Sequence, residues 1–249
     1  LREFGIECVG FVAEIGNVKA ENIPADATAA QLRAARDANE VYTPDDSAVE
    51  PMTLAIRDAK RTKDTLGGIV EVRVFGVPIG VGSCWSWQQK LDARLMGAAG
   101  SIQAFKGVEI GLGFEAARLP GSQVHDAIYY DAAQRETPNF GFVRKTNRLG
   151  GLEGGMTNGM PLIVRGAMKP ISTLMQGMDS VNLKSLQPER SDYERSDVCA
   201  VPAASVVAES VVAFEVARAL LEKIGGDTLQ EMRAAYEQYC KAARGLASL

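Results

Sequence analysis

Ten consecutive positions, Gly150 to Gly159, hold five of the 25 glycines in this 249-residue sequence. Glycine forgoes a side chain and costs backbone entropy, so such density points to positive φ angles or to a backbone lying close against something. Between positions 144 and 169 stand five basic residues (Arg144, Lys145, Arg148, Arg165, Lys169) and one acid, Glu153. Successive glycine amides beside cations make a nest for phosphate or carboxylate oxygens, so this stretch is the first candidate for binding an anion. A glycine-rich hairpin with a solvated basic face has the same composition, and both readings stay open here. The second candidate is "RSDVCAVPAA", where Arg195, Ser196 and Asp197 precede Pro202. A helix starting there would offer free amides and its dipole to an anion. Asp197 also reads as a cap for that helix and an ion-pair partner of Arg195, the preferred reading from the residues alone. "SIQA" places the Gln103 amide at a helix-to-strand junction. His125 adjoins Asp126, either as a catalytic His–Asp couple or, the preferred reading for a lone histidine, as a hydrogen-bonded structural residue.

The bulk properties narrow the partners. A net charge of −4, with 46% hydrophobic and 23% charged residues, is that of an ordinary globular chain. It gives no reason to expect nucleic acid or an anionic membrane. Cys8, Cys84, Cys199 and Cys240 are far apart and make no CxxC, and with a single histidine a zinc site is disfavoured. A reducing, cytoplasmic compartment is the simpler expectation. No apolar run is long enough to span a bilayer, and no signal peptide is evident.

The elements that must position these residues read as α+β. "IECVGFVAEIG" (6–16) is a strand with apolar residues on both faces, and a short helix is expected around Ala29 to Ala38. Pro51 suits a first helical position, with Met52, Ile56 and Ala59 on one face up to about Thr62. In "GGIVEVRVFG", Val70, Val72 and Val74 alternate with Glu71 and Arg73, the pattern of a half-buried strand. "QQKLDARLMGAAGSIQA" is helical in composition, while "KGVEIGLGF" and "PLIVRGAMKP" read as strands. Residues 130–143 have no period and read as an exposed loop. Pro202 starts a helix ending before Gly225-Gly226, apolar nearly all round with a polar stripe of Glu215, Arg218 and Glu222, and expected to lie between layers. Asp227 with Gln230 resembles a capping box for a last helix whose Leu229, Met232, Tyr236, Tyr239 and Ala243 face inward. Short strands mixed with helices, without βαβ regularity, argue for α+β.

Taken in order, "DTLGGIVEV", "LDARL", "SIQAFKGVEIG", "GSQVHD", "TNRLGGLEGGMTNGMPLIVRGAMKPIST" and "RSDVCAVPAA" resemble chorismate synthase along nearly the whole chain, from Ile6 to Ala243. The resemblance implies a β-α-β sandwich of antiparallel sheets around helices, with residues 1–249 as a single domain. It implies a carbon–oxygen lyase of the shikimate pathway, serving aromatic amino-acid biosynthesis. The reaction would be the anti 1,4-elimination of phosphate from 5-enolpyruvylshikimate 3-phosphate, giving chorismate. The cofactor would be reduced FMN, with NADPH as a candidate reductant, and the assembly a homotetramer. Carried over residue by residue, the flavin-contacting positions are Gln103, Ala104, Gly154, Lys169, Pro170, Ile171, Ser172, Thr173 and Arg195, and Asp197 is the catalytic candidate.

There are departures. The family's "GESHG", "RPGHAD" and "RSSAR"-type segments are absent, along with two arginines assigned to NADPH or substrate. "LREFG" also resembles the close of a helix with Gly5 just past its end. The expectation is therefore a C-terminal major portion of such an enzyme, inactive alone, and His125 is neither family histidine. The alternative is an inactive C-terminal fragment serving only as a folded binding or oligomerisation module. Leu112, Ala127 and Gln88 also differ from the usual pattern, at positions expected on a turn and a surface.

Overall fold

A computed structural model describes residues 1–246. The strands are β1 (Glu7–Ile15), β2 (Val18–Lys19), β3 (Gly68–Phe75), β4 (Phe105–Ile110), β5 (Ile128–Tyr130), β6 (Phe142–Arg144), β7 (Leu152–Glu153), β8 (Met156–Thr157), β9 (Leu162–Met168), β10 (Asp179–Val181) and β11 (Pro188–Arg190). The helices are α1 (Ala29–Asp37), α2 (Asp46–Arg61), α3 (Leu91–Gly100), α4 (Val201–Ile224) and α5 (Leu229–Leu246). Five strands form one antiparallel sheet in the order β2-β1-β3-β9-β4, and the remaining strands pair as two-stranded ribbons. The class is α+β.

Side-chain alternation sorts the sheet into two faces. Cys8, Val12, Val70, Val72, Val74, Leu162 and Val164 share the main core with Leu91, Leu95, Ala204, Ala208 and Val212 of α3 and α4. On the opposite face Val9 and Phe11 pack with Ala29 and Leu32 of α1 in a smaller cluster. Gly10 explains how α4 comes so close to β1: a Cβ there would lie 2.4 Å from the Ser205 carbonyl oxygen. Glu209 then ties three elements together. Its carboxylate accepts Gly10 N–H of β1 at 2.9 Å and Arg33 of α1 at 3.1 Å, and it also pairs with Arg36 of α1. Burial would raise the Glu209 pKa, but these donors outweigh it and hold the carboxyl below its ordinary value. The same burial, reinforced by the Glu209 charge, pushes the Cys8 thiol up to about 12.

Several elements differ from the sequence reading. Pro51 is inside α2, not at its start, because Asp45 caps the helix by accepting Ser47 N–H at 3.1 Å. Residues 130–143 contain structure: β5 and β6 pair across them, and Phe140 is buried. The capping box of α5 is Thr228 with Glu231, one residue on from the expected pair, and Leu229 is exposed. Glu215 faces inward from α4, held by Arg94 of α3 at 3.0 Å and Arg218 at 2.7 Å. Val206, Val207, Phe214 and Leu221 of α4 are exposed, so within the described residues that helix is covered on one side and open on the other. No helix among the described residues is long and apolar enough to cross a membrane.

Candidate functional site

The glycine cluster is mostly scaffold. All five of its glycines have positive φ. At Gly150, with φ +65°, a Cβ would lie 2.4 Å from Gly111 N, so the turn is pressed against the end of β4. Gly151, Gly155 and Gly159 likewise meet protein atoms, whereas Gly154, at the tip of the β7–β8 ribbon, has nothing within 4 Å. Of the basic residues, Arg144 is turned inward, its guanidinium bonded to Glu153 at 2.6 Å and to the Asn158 carbonyl at 3.0 Å. Within the cluster Gly154 is thus the position open in space, and the other four glycines are set in close backbone packing.

Asp126 anchors this segment from outside. Its buried carboxylate accepts Thr146 Oγ1 at 2.5 Å, Arg148 N–H at 3.0 Å and Leu149 N–H at 2.9 Å. Burial would raise its pKa, but the hydrogen bonds from Thr146, Leu149 and Arg148 prevail and hold the carboxyl below its ordinary value. Among the described residues no ion pair joins it to His125, which is exposed. Asp126 is therefore structural, whereas the His125 side chain has no hydrogen bond among the described residues, so the hydrogen-bonded reading of the histidine is not borne out.

The other site candidates gather at the end of the sheet where β3 and β4 begin and β9 finishes. Ala104, at φ +71°, ends the loop after α3 and accepts Lys169 N–H at 2.9 Å through its carbonyl. Residues 169–173 leave the end of β9, and the Thr173 carbonyl accepts Ser196 Oγ at 3.2 Å. That brings Gln103, Ala104, the 169–173 run and the 195–197 segment to one open ledge. Gln103, Lys169, Pro170, Ser172, Arg195 and Asp197 are exposed, and Ala104, Ile171 and Thr173 half-buried. Lys169 Nζ reaches only the Pro170 carbonyl, at 3.2 Å, and neither Lys169 nor Arg195 has a carboxylate partner among the described residues. Asp197 does not cap α4: the N-cap position is Ala200, without a side-chain hydrogen bond. Nor does it pair with Arg195. Burial pushes the Cys199 thiol up despite the opposing Val201 N–H, so this cysteine is not set up as a thiolate nucleophile. Gly154 stands apart, beside Gly155, whose carbonyl accepts Leu91 N–H at the start of α3 at 2.9 Å. The ten residues of α3 separate it from Ala104, about 15 Å of helix.

A second cationic surface lies on the sheet face that carries α1. A cleft of about 730 Å³ is lined by Arg73, Lys145, Arg148 and Arg165, by the acids Asp26 and Glu71, and by apolar groups including Ile163. Glu71 neutralises Arg73 at 2.7 Å, and Arg165 pairs with Glu109 at 3.4 Å. The basic residues that surround the glycine cluster in sequence thus part in space, with Lys169 on the ledge, Lys145, Arg148 and Arg165 in this cleft, and Arg144 inside.

Sequence reasoning did not single out the segment that holds the ledge together. Thr65, buried just ahead of β3, donates its hydroxyl to the Ile171 carbonyl at 2.6 Å. Leu66 N–H bonds to the Val198 carbonyl at 2.9 Å. At Gly67 a Cβ would lie 2.2 Å from the Met168 carbonyl oxygen and 2.8 Å from Pro170 N. The available signal was "DTLGG", a hydroxyl and paired glycines immediately before an alternating strand.

The chorismate synthase family model matches residues 1–221. A curated chorismate synthase of Desulforamulus reducens is 54% identical over 239 residues, covering 96% of this chain and 60% of that protein. One from Geobacter sulfurreducens is 51% identical over 248 residues, covering 98% of this chain and 62% of the relative. A crystal structure of chorismate synthase superposes with a TM-score of 0.81 at 39% identity, covering 98% of this chain and 65% of the other. The chain spans about three fifths of the length of these curated relatives.

Proposed function

The chain belongs to the chorismate synthase family, and on that premise we propose that it forms the flavin- and substrate-facing ledge of a carbon–oxygen lyase. The substrate would be 5-enolpyruvylshikimate 3-phosphate and the products chorismate and phosphate, by anti 1,4-elimination. One observation carries the reading: Lys169 and Arg195, two exposed cations with no carboxylate partner among the described residues, border the ledge with the 169–173 run. Substrate and flavin bring phosphates and carboxylates, and unpaired cations beside hydroxyl donors are what such anions need.

The residues fit reduced FMN. Lys169 and Arg195 would hold its charge, Ser172 and Thr173 supply hydroxyl donors, and Gln103 offers an amide that both donates and accepts. Ala104, in its left-handed conformation, turns the main chain at the ledge. Pro170 and Ile171 stiffen and line the run, and Gly154 would meet the cofactor at the far end of α3. When bound, reduced FMN supplies transient electron density to the departing phosphate, with no net redox change. Asp197 takes the proton from C6 of the substrate, while the C3–O bond breaks and its electron pair leaves on phosphate.

The same family reading makes residues 1–249 one domain of a cytoplasmic homotetramer, with NADPH as a candidate reductant. The test is FMN titration of the protein encoded by the complete gene, followed by phosphate release from the substrate under anaerobic, reducing conditions. Saturable flavin binding and flavin-dependent phosphate release are expected. Phosphate release without flavin binding would overturn the reading.

A further inference from the structure

The segment Asp64–Gly67 lies beside the ledge and contributes none of its candidate residues, yet it contacts two of the segments that do. Thr65 Oγ1 bonds to the Ile171 carbonyl at 2.6 Å, in the middle of the 169–173 run. Leu66 N–H bonds to the Val198 carbonyl at 2.9 Å, and Leu66 bridges Cys199 in parallel, one and two residues beyond Asp197. Gly67 is packed against the start of the run so closely that a Cβ would be 2.2 Å from the Met168 carbonyl oxygen and 2.9 Å from the Lys169 carbonyl carbon. These atoms are backbone and cannot rotate aside. Through its own carbonyl, Gly67 accepts Gly16 N–H at 2.9 Å, so the segment is itself tied to the β1–β2 turn.

We propose that Thr65 and Gly67 are positioning residues for flavin binding: they set the distance between the Lys169–Thr173 run and the Arg195–Asp197 segment. The proposal rests on the flavin reading of the ledge. The ledge is open and its side chains are mostly exposed, so side-chain packing does little to hold the two segments in register. The segment's own hydrogen bonds and close contact do it, alongside the Ser196 Oγ bond to the Thr173 carbonyl. The buried Thr65 hydroxyl has the Ile171 carbonyl as its acceptor, and a side chain of equal size without the hydroxyl leaves that carbonyl unpaired. Preorganised contacts of this kind show in ligand affinity, because a loosened run must be ordered again when ligand binds.

The experiment compares Thr65→Val, Thr65→Ser and Gly67→Ala with the unaltered protein, all as the complete gene product. FMN affinity is measured by titration, and amide hydrogen exchange is followed without flavin. Thr65→Val is expected to weaken FMN binding about tenfold and to speed exchange in residues 169–173, leaving residues 70–75 of β3 unchanged. Thr65→Ser restores both, since the hydroxyl alone is required. Gly67→Ala displaces the run and weakens binding at least as much. If the unaltered protein binds FMN and Thr65→Val binds it equally, the positioning proposal is overturned while the flavin reading stands. If Thr65→Val speeds exchange throughout β3, Thr65 is only a stability residue and the proposal is overturned. Should Gly67→Ala fail to fold, the valine–serine contrast decides. Absence of FMN binding by the unaltered protein overturns the flavin reading and this proposal with it, and the exchange data then report only how the run is held.

Discussion

Asp126→Asn is the sharpest test of how the glycine-rich segment is held. The aspartate is 5% exposed, and its two oxygens divide three donors between them. Oδ1 takes Thr146 Oγ1 and Arg148 N–H, and Oδ2 takes Leu149 N–H at 2.9 Å. Asparagine can keep one oxygen toward the first two, but its amide nitrogen then confronts Leu149 N–H, donor against donor. Hydrogen bonds to an ionised group contribute about 1.5–3 kcal/mol each. Losing one outright and the charge from the other two should cost about 2–3 kcal/mol. For a chain of this size that lowers the melting temperature by about 4–12 °C. The effect has a defined pH dependence. The folded carboxyl titrates below its ordinary value of 3.8, so its stabilisation is fully present above that value. It is lost as pH falls through the depressed folded value, where both states are protonated. The assay is thermal unfolding of the purified wild-type and variant chains, from neutral pH down into the acid range. An unchanged melting temperature at neutral pH, or a difference that persists undiminished in acid, would refute the reasoning.

Glu209→Gln should destabilise by about 3 kcal/mol in urea unfolding, since it leaves Arg36, 8% exposed at its side chain, without its carboxylate partner on α4. Lys169→Ala in the complete protein should weaken FMN or substrate binding while leaving the ligand-free melting temperature nearly unchanged; equal loss of ligand-free stability would make the lysine structural. Asp197→Asn should cut turnover by about 10²-fold or more with flavin affinity intact, and a variant within a few-fold of wild type would remove Asp197 from the mechanism.

The core was legible because its signal is local. Val70, Val72 and Val74 alternate as a strand must when one face is dry, and all three are buried. The Pro202 helix begins and ends within a residue of where proline and the Gly225-Gly226 pair place it. Glu215 was misplaced because periodicity sees charge and not partners: a carboxylate can face inward when Arg94 is there to meet it. Pro51 misled for a related reason. Proline suits a first helical turn, but Asp45 and its bond to Ser47 fix the start earlier, and the proline is carried inside. The ledge was recoverable only through resemblance to a family. Gln103, Lys169 and Arg195 are far apart in sequence, and neither charge nor spacing says that they share one end of a sheet.

The glycine cluster drew attention as a binding element and is largely a joint. Its contribution runs through β9: Ile163 N–H bonds to the Gly150 carbonyl at 3.1 Å, and Gly111 N–H to the Ile163 carbonyl at 3.1 Å, which fixes the start of that strand against β4. β9 is then paired along both edges, with Val74 to Gly68 on one side and Phe105 to Ile110 on the other, up to Met168. Lys169 is the next residue. A strand bonded on both sides has little freedom to slide, so anchoring at its glycine end and the close fit of Gly67 at its far end together define where the 169–173 run begins. Dense glycine in a sequence therefore does not by itself mark a ligand. Here, apart from the open Gly154, it marks where backbones must touch so that the 169–173 run at the other end of a strand can be held still.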